Sequence, residues 1–320
     1  MVRIARKRIK GKIYYYIAKS IRLPGGKVVT ITKNLGKKAT KLDKNVYNKY
    51  KEYFSQKEKE INSRWAITKY KKSYVFSEDE IKKIESARVN YRYLLRKLDK
   101  TRIKDLYDRF TVNFTYDSNA IEGNSLTLKD VAIVLLDKES VTGKPLREIF
   151  ETRNSRLVVD LILKKKFSMS HTDIIKMHRL LMKDIDTRTG YKTIPNVIFR
   201  TEREVHTTPP ELVEKEMTKL IKLLEKSDLH PLEKAAIFHG NFEKIHPFED
   251  GNGRVGRFLI NVILVNNGYP PLIIRKTQRI SYLSALAVFD SGHEDKLKRL
   301  ILQAFKDTYK KFFDMYVKYA

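Results

Sequence analysis

Twelve consecutive residues, His246-Pro247-Phe248-Glu249-Asp250-Gly251-Asn252-Gly253-Arg254-Val255-Gly256-Arg257, bring together an imidazole, a carboxylate, an amide, glycines and two arginines. Such groups can grip a nucleoside triphosphate with its metal and take the proton from an attacking hydroxyl. An imidazole exchanges its proton near neutral pH, so His246 is the candidate general base. Asp250 is the candidate Mg²⁺ ligand, because Mg²⁺ uses one or two carboxylates and completes its shell with phosphate oxygens. Gly251 and Gly253 let the backbone turn and come close to a phosphate with no Cβ in the way. A helix is expected from Val255 to about Asn267, directly after Gly251-Asn252-Gly253-Arg254. The unpaired N–H groups and dipole of its first turn would favour an anion there. Arg254 and Arg257, three residues apart, are expected on one face of that helix.

Other chemistries fit less well. The glycines also satisfy G-x-G-x-x-G, but a dinucleotide fingerprint follows a parallel strand, whereas a helical stripe and His-Pro-Phe come first here. The sequence has no G-x-x-x-x-G-K-(S/T), which removes a P-loop, and no cysteine or H-E-x-x-H pair to suggest zinc. His239, seven residues before His246, shares its stripe and reads as a core or orienting residue.

The stretch resembles the signature of the Fic (Fido) family, His-Pro-Phe-x-(Asp/Glu)-Gly-Asn-Gly-Arg-x-x-Arg, at every specified position. Upstream, Ser118-Asn119-Ala120-Ile121-Glu122-Gly123-Asn124 resembles the inhibitory-helix motif of that family, (Ser/Thr)-x-x-x-Glu-(Gly/Asn). The resemblance implies that Asn252 holds the α-phosphate of ATP, Arg254 the β-phosphate and Arg257 the γ-phosphate. In-line attack at the α-phosphorus would then transfer AMP to a Ser, Thr or Tyr hydroxyl of a target protein. Glu249 falls at a variable position and is left out of the metal site. Within the inhibitory motif (Ser118, Glu122, Asn124), Glu122 would pair with Arg257 and fill the γ-phosphate space. It could also activate water and remove AMP from a modified target. The plainer reading makes Glu122 a helix-end residue before Gly123 at C′.

From Gly268-Tyr269-Pro270-Pro271 through Ile273-Ile274-Arg275-Lys276 to Tyr282, the chain is similar to animal Fic proteins that modify a chaperone. That similarity puts Tyr282 and Leu283 beside the adenine, although the family has a second aromatic at Leu283 and an Asn at Asp290. Val197-Ile198-Phe199 resembles the flap that holds a target segment as an added strand. Lys192 stands where an arginine is often found and receives no role. The resemblance extends from about Phe110 to Phe305.

The elements that must position these groups are mostly helices. Residues 1–40 read as a basic antiparallel meander, with strands at Ile13–Ile17 and Lys27–Thr32 around the Leu23-Pro24-Gly25-Gly26 turn. It resembles the strand module that precedes the helices in some archaeal Fic proteins. A helical arm is expected over 41–108, with a start at Ser77-Glu78-Asp79-Glu80. The inhibitory-helix region covers 109–168, the catalytic core 169–310 and a helix end 311–320. Within the core, Ser170 and Thr208 read as helix N-caps, and Asn196 to Thr207 as a hairpin. The expected fold is mainly α: a Fic/Fido helical core with a β-hairpin flap, preceded by the meander and arm.

The formal charge is +28, and residues 1–50 carry half of it, fifteen Lys and Arg against Asp43 alone. A basic end suits nucleic acid or an acidic partner, and a lysine-rich thermophile surface is the alternative. Apolar runs are short and no signal peptide is visible, so neither membrane nor export is expected, and the cysteine-free chain reads as cytoplasmic. A homodimer is admitted. The expected function is AMP transfer from Mg-ATP under restraint by Glu122. The alternatives are AMP removal by Glu122, transfer of another phosphate-containing group such as UMP, and a nucleic-acid-binding regulator.

Overall fold

A computed structural model describes residues 2–38, 41–42, 44–70, 73–188, 190–200 and 203–319. The chain divides into two compact units, one of residues 1–72 with 77–89, the other of 73–76 with 90–320. The arm expected over 41–108 is therefore shared between them.

The first unit opens with strands β1 (Val2–Ile9), β2 (Lys12–Arg22) and β3 (Val28–Gly36), paired antiparallel in that order. Lys10 and Gly11, both at positive φ, make the two-residue turn that suits the twist of a hairpin. Strand alternation then sorts the faces. Ile17, Ile21 and Ile31, with Val2, Ile4 and Val29, pack on Phe54, Ile61 and Trp65. Those three belong to α2 (Lys51–Lys69), which follows the short α1 (Lys44–Lys49). A buried Lys19–Glu58 pair at 2.8 Å fastens β2 to α2. Helix α3 (Glu78–Lys97) begins with the expected cap, Ser77 Oγ accepting from the Glu80 N–H while Glu80 accepts from the Ser77 N–H.

The second unit is helical apart from one hairpin. After α4 (Lys100–Ile121) come α5 (Leu128–Ala132), widening into a π turn at Ile133–Asp137, then α6 (Leu146–Leu163) and α7 (His171–Leu181). Strands β4 (Val197–Arg200) and β5 (Arg203–His206) form the expected hairpin, whose tip at Thr201 and Glu202 lies outside the described residues. The remaining elements are α8 (Pro210–Lys226), α9 (Pro231–Ile245), α10 (Asn252–Asn266), a short 3₁₀ turn at Lys276–Gln278, α11 (Arg279–Asp290), α12 (Asp295–Thr308), a π turn at Tyr309–Asp314 and α13 (Met315–Tyr319). The fold is mainly α with two small antiparallel sheets, as the sequence implies.

Helix α10 is the centre of this unit. Thirteen of its 15 residues are buried, so it packs on all sides and holds its first turn in place. It starts at Asn252, three residues before the Val255 expected, because Gly251 at φ 80° already turns the chain into the helix. Helix α8 also starts differently. Pro209 occupies the N-cap, so Thr208 does not cap it. Ser170 does cap α7, accepting from the Asp173 N–H at 3.3 Å.

Two close approaches fix α9, the helix that ends at His246. A Cβ on Gly256 of α10 would sit 2.8 Å from the His239 ring, and one on Gly240 only 2.6 Å from the Phe289 ring of α11. Glycine at 240 is thus a packing requirement, not a weak point of the helix. Gly240→Ala should destabilise this unit by up to about 2 kcal/mol, since overpacking costs about 1–3 kcal/mol against a helix-propensity gain of about 1 kcal/mol. Denaturant titration should show an earlier midpoint, partly restored by Gly240→Ala with Phe289→Leu; an unchanged midpoint would dismiss the contact.

Candidate active site

His246 is the C-cap of α9 and lies in the left-handed region, at φ 52° and ψ 62°. The reason is local. Pro247 disfavours helical geometry in the residue before it, and the His246 N–H still closes the last turn on the Phe242 carbonyl at 2.9 Å. The imidazole Nδ1 lies 3.3 Å from the Glu243 carbonyl, an acceptor only, so Nδ1 carries the proton in that bond. Nε2 is then left with a lone pair, the form a general base needs.

The loop from Phe248 to Asn252 is braced by Asn252. Its Oδ1 accepts from the Phe248 N–H at 2.9 Å, and its Nδ2 donates to the Phe248 carbonyl at 2.7 Å. The side chain is buried, so its main work here is to shape the loop, with one amide hydrogen left for a ligand. Beneath it, the His178 ring of α7 stacks on Phe248 at 3.9 Å, while its Nε2–H donates to the Asp250 carbonyl at 3.0 Å. Burial pushes His178 below its ordinary pKa and keeps it neutral.

Asp250 faces outward into a cluster of charge. Arg147 of α6 donates to its carboxylate at 2.5 Å, and Arg254 stands 3.7 Å away. Burial alone would raise the Asp250 carboxyl, but Arg254, Arg147 and the Gly251 N–H outweigh it, so the group is held below the usual carboxylate range. Arg147 and Arg254 also share Glu151 of α6, each at 3.3 Å, and Asn124 donates to the same carboxylate at 2.8 Å. Arg147 and Glu151 were invisible to the sequence reading, since a lone Arg-Glu pair four residues apart on a helix is an ordinary surface pattern. Among the described residues no group of three or more acidic or histidine side chains is placed to hold a metal by itself. A single ionised carboxylate beside a phosphate site is nonetheless what Mg²⁺ bound with a nucleotide requires, and Asp250 fits.

Arg254 and Arg257 do not share a set of partners. Arg254 turns toward α6 and α7, whereas Arg257 points to α4, where it donates through Nε to Ser118 Oγ at 3.0 Å and through a terminal nitrogen to the Ser118 carbonyl at 2.8 Å. The same nitrogen meets the Glu122 carboxylate at 2.7 Å. Glu122 is held there by the way α4 ends. Gly123, at φ 99°, donates to the Ala120 carbonyl and Asn124 to the Asn119 carbonyl, a Schellman turn with Glu122 at its C-cap. Glu122 thus both ends the helix and pairs with Arg257. Gly253 has no room for a side chain, because a Cβ there would overlap the Glu122 carboxylate.

The end of α4 is also tied from the far side. Arg275 meets Asp117 at 2.8 Å, the Lys276 N–H donates to Asp117 at 2.9 Å, and Arg279 donates to the Ile121 carbonyl at 2.8 Å. Tyr282 is fully buried, its hydroxyl 2.8 Å from His239 and its ring under Arg257. It supports Arg257 and does not line the open cleft, and neither does Leu283 beside it. That cleft, about 390 Å³, is bounded by Glu122, Gly123, Asn124, Arg147, Glu148, Glu151, His246 and the loop from Glu249 to Arg254.

The hairpin presents Val197 and Phe199, both exposed, on one face. Lys192, unassigned from sequence, anchors its base. The Lys192 N–H donates to the Pro247 carbonyl at 2.8 Å, and Nζ donates to Asn196 Oδ1 at 2.7 Å and Thr207 Oγ1 at 2.6 Å. Burial pushes its ammonium down to about 8. Asn196 in turn donates to the Phe248 carbonyl at 3.0 Å, so flap and motif loop are tied to the same short segment.

Part of the chain is similar to known proteins. Residues 168–264 match the Fic/DOC family. The chain is 35% identical over 185 residues to a protein adenylyltransferase Fic of Nematostella vectensis, covering 55% of this chain and 43% of that one. It is 32% identical over 211 residues to a protein of the same name from Drosophila virilis, covering 63% and 42%. The chain thus spans less than half the length of these relatives. Among solved structures, a Fic family protein from Desulfovibrio desulfuricans G20 superposes with a TM-score of 0.62 at 29% identity, covering 77% of each chain. Fic-1 from C. elegans shares the fold, with a TM-score of 0.63 at 23% identity over 76% of this chain and 74% of that one. The match to the Fic/DOC family is to residues 168–264, and over 55–63% of its length the chain is similar to proteins named protein adenylyltransferase Fic.

Proposed function

We propose that this protein transfers AMP from ATP to a Ser, Thr or Tyr hydroxyl of a target protein, and that Glu122 restrains the reaction. The observation that carries the reading is one shared cleft. His246 opens into it beside the first turn of α10 and the Asp250 carboxylate, so the residues assigned here as base, phosphate cradle and metal ligand border one cleft. The relatives named protein adenylyltransferase support the same chemistry.

In this mechanism the first N–H groups of α10 and Arg254 receive the phosphates, where the helix dipole and a buried cation favour negative charge. Asp250 would hold Mg²⁺, which neutralises phosphate charge when bound. The flap residues Val197, Ile198 and Phe199 present the target as an added strand. His246 Nε2 takes the proton of the target hydroxyl as its oxygen bonds to the α-phosphorus. The bond from that phosphorus to the oxygen bridging toward the β-phosphate breaks, and pyrophosphate leaves. The cysteine-free composition supports placing the reaction in the cytoplasm.

The reading of Glu122 as a restraint is supported by its ion pair with Arg257 at 2.7 Å, which a γ-phosphate would have to replace. A second reading, removal of AMP by water, would need water at the Glu122 carboxylate, whose side chain is 44% exposed.

Three outcomes test these assignments. His246→Ala should lower transfer of labelled AMP by about 10²–10⁴-fold, the usual share of a general base, while calorimetry shows ATP binding intact. Transfer at the wild-type rate would remove this mechanism. Glu122→Gly should raise labelling of target or self about ten- to a hundredfold and abolish AMP removal. That gain corresponds to about 1.4–2.7 kcal/mol, a modest figure because the carboxylate is partly solvated. Labelling no faster than wild type would return Glu122 to a purely structural role. Arg147→Ala should free the Asp250 carboxylate and tighten Mg²⁺-dependent ATP binding about two- to fivefold, in line with loss of an exposed ion pair worth about 0.4–1 kcal/mol. Weaker binding in the calorimeter would instead make Arg147 a phosphate ligand.

A further inference from the structure

We infer that the face of the three-stranded sheet turned away from α2 binds single-stranded RNA. The inference begins with register. Ile17 and Ile21 of β2 pack toward α2, so Tyr14, Tyr16, Ala18 and Ser20 share the opposite face. Pairing sets Arg3, Ala5 and Lys7 of β1 beside Ala18, Tyr16 and Tyr14, and Thr30 and Thr32 of β3 beside Ser20 and Ala18. Contacts on the face agree with this placement: Ser20 Oγ lies 3.3 Å from Thr30 Oγ1, and Lys7 Nζ lies 5.4 Å above the Tyr16 ring.

Charge selects a polyanion. Residues 1–42 contain thirteen Lys and Arg and no acid, and of these only Lys19 is both buried and paired with a carboxylate, Glu58. The rings narrow the choice. Lys7 lies over the face of Tyr16 and Lys37 over the face of Tyr14, at 5.9 Å, so cations and ring faces already meet on this side of the sheet. An anionic lipid surface or an acidic peptide has no planar group to lay on such a ring. A duplex keeps its base faces inside the stack. An unpaired strand offers both phosphates for the lysines and free base faces for the tyrosines. Tyr14 and Tyr16 lie two strand positions apart, about 6.6–6.8 Å, which leaves room for one base on each ring. The hydroxyls of Ser20, Thr30 and Thr32 beside them suit the 2′-hydroxyl of ribose.

The test uses the full chain and a short fluorescent RNA of mixed sequence, with anisotropy read across a salt series. The matching DNA strand, the RNA duplex, polyglutamate and phosphatidylserine vesicles serve as competitors. RNA affinity should fall with salt at a log–log slope of about −0.7 for each phosphate neutralised, and Lys7→Gln should remove about one such increment. Tyr16→Leu should weaken RNA binding about tenfold or more, while Tyr16→Phe, which keeps the ring, binds as wild type. His246→Ala should also bind as wild type, so this result is independent of the transfer reaction. The inference is overturned if Tyr16→Leu binds normally, or if Tyr16→Phe loses as much as Tyr16→Leu with circular dichroism unchanged. It is overturned equally if duplex, polyglutamate or vesicles compete as well as RNA, and a DNA strand that competes equally overturns the assignment to ribose.

Discussion

A guanidinium group with 2% of its side chain exposed governs the arrangement around the cleft. A buried cation without partners is expensive, and removing one partner of a buried pair strands the other. Arg257 therefore constrains everything near it. Ser118 supplies a hydroxyl and a carbonyl, Glu122 supplies the countercharge, and the Tyr282 ring lies against the remaining face. Tyr282 is itself fixed by His239, whose ring leaves no space for a side chain at Gly256. The end of α4, the start of α10 and the packing of α9 thus answer to one charge. On the proposed mechanism, ATP would replace Glu122 as its partner, so nucleotide and carboxylate exchange one role.

The second organising feature is the short segment that joins flap and loop. Lys192 and Asn196 tie the hairpin to the Ile245–Phe248 stretch, while His178 and Asn252 shape the loop from beneath. The exposed hydrophobic face of Val197 and Phe199 therefore rests on a base that also positions His246. Target presentation and proton removal would share a single support. This is the rigid second layer a precise site needs.

What sequence revealed follows from where information is local. Glycines at special φ, a Pro after a helix end, a Ser cap and the apolar stripe of α9 are near-neighbour effects, so the motif loop and the helices around it were legible. The start of α10 was missed by three residues because Gly251 acts as an N-cap without a capping side chain, and Pro209 displaced Thr208 in the same way. Arg147, Glu151, His178 and Asp117 became visible only in three dimensions. Each touches the site from another element, and nothing in its own surroundings marks it. Tyr282 is a different case: the resemblance set it beside the adenine, and in the structure its ring is buried between His239 and Arg257. Asn252 is similar, since most of its hydrogen-bonding capacity is taken up by its own loop.

Ser118 and Glu122 stand four residues apart, close to one turn of α4, and both touch the same guanidinium. The contact with Arg257 consequently reads helical phase. Each residue added to or removed from this turn would swing the carboxylate about 100° around the axis while leaving its chemistry untouched. The Schellman turn at Gly123 sets where that phase count stops. A pair of this kind is written in backbone geometry as much as in charge: a chain could keep both ionisable groups and still lose their contact through one slipped turn.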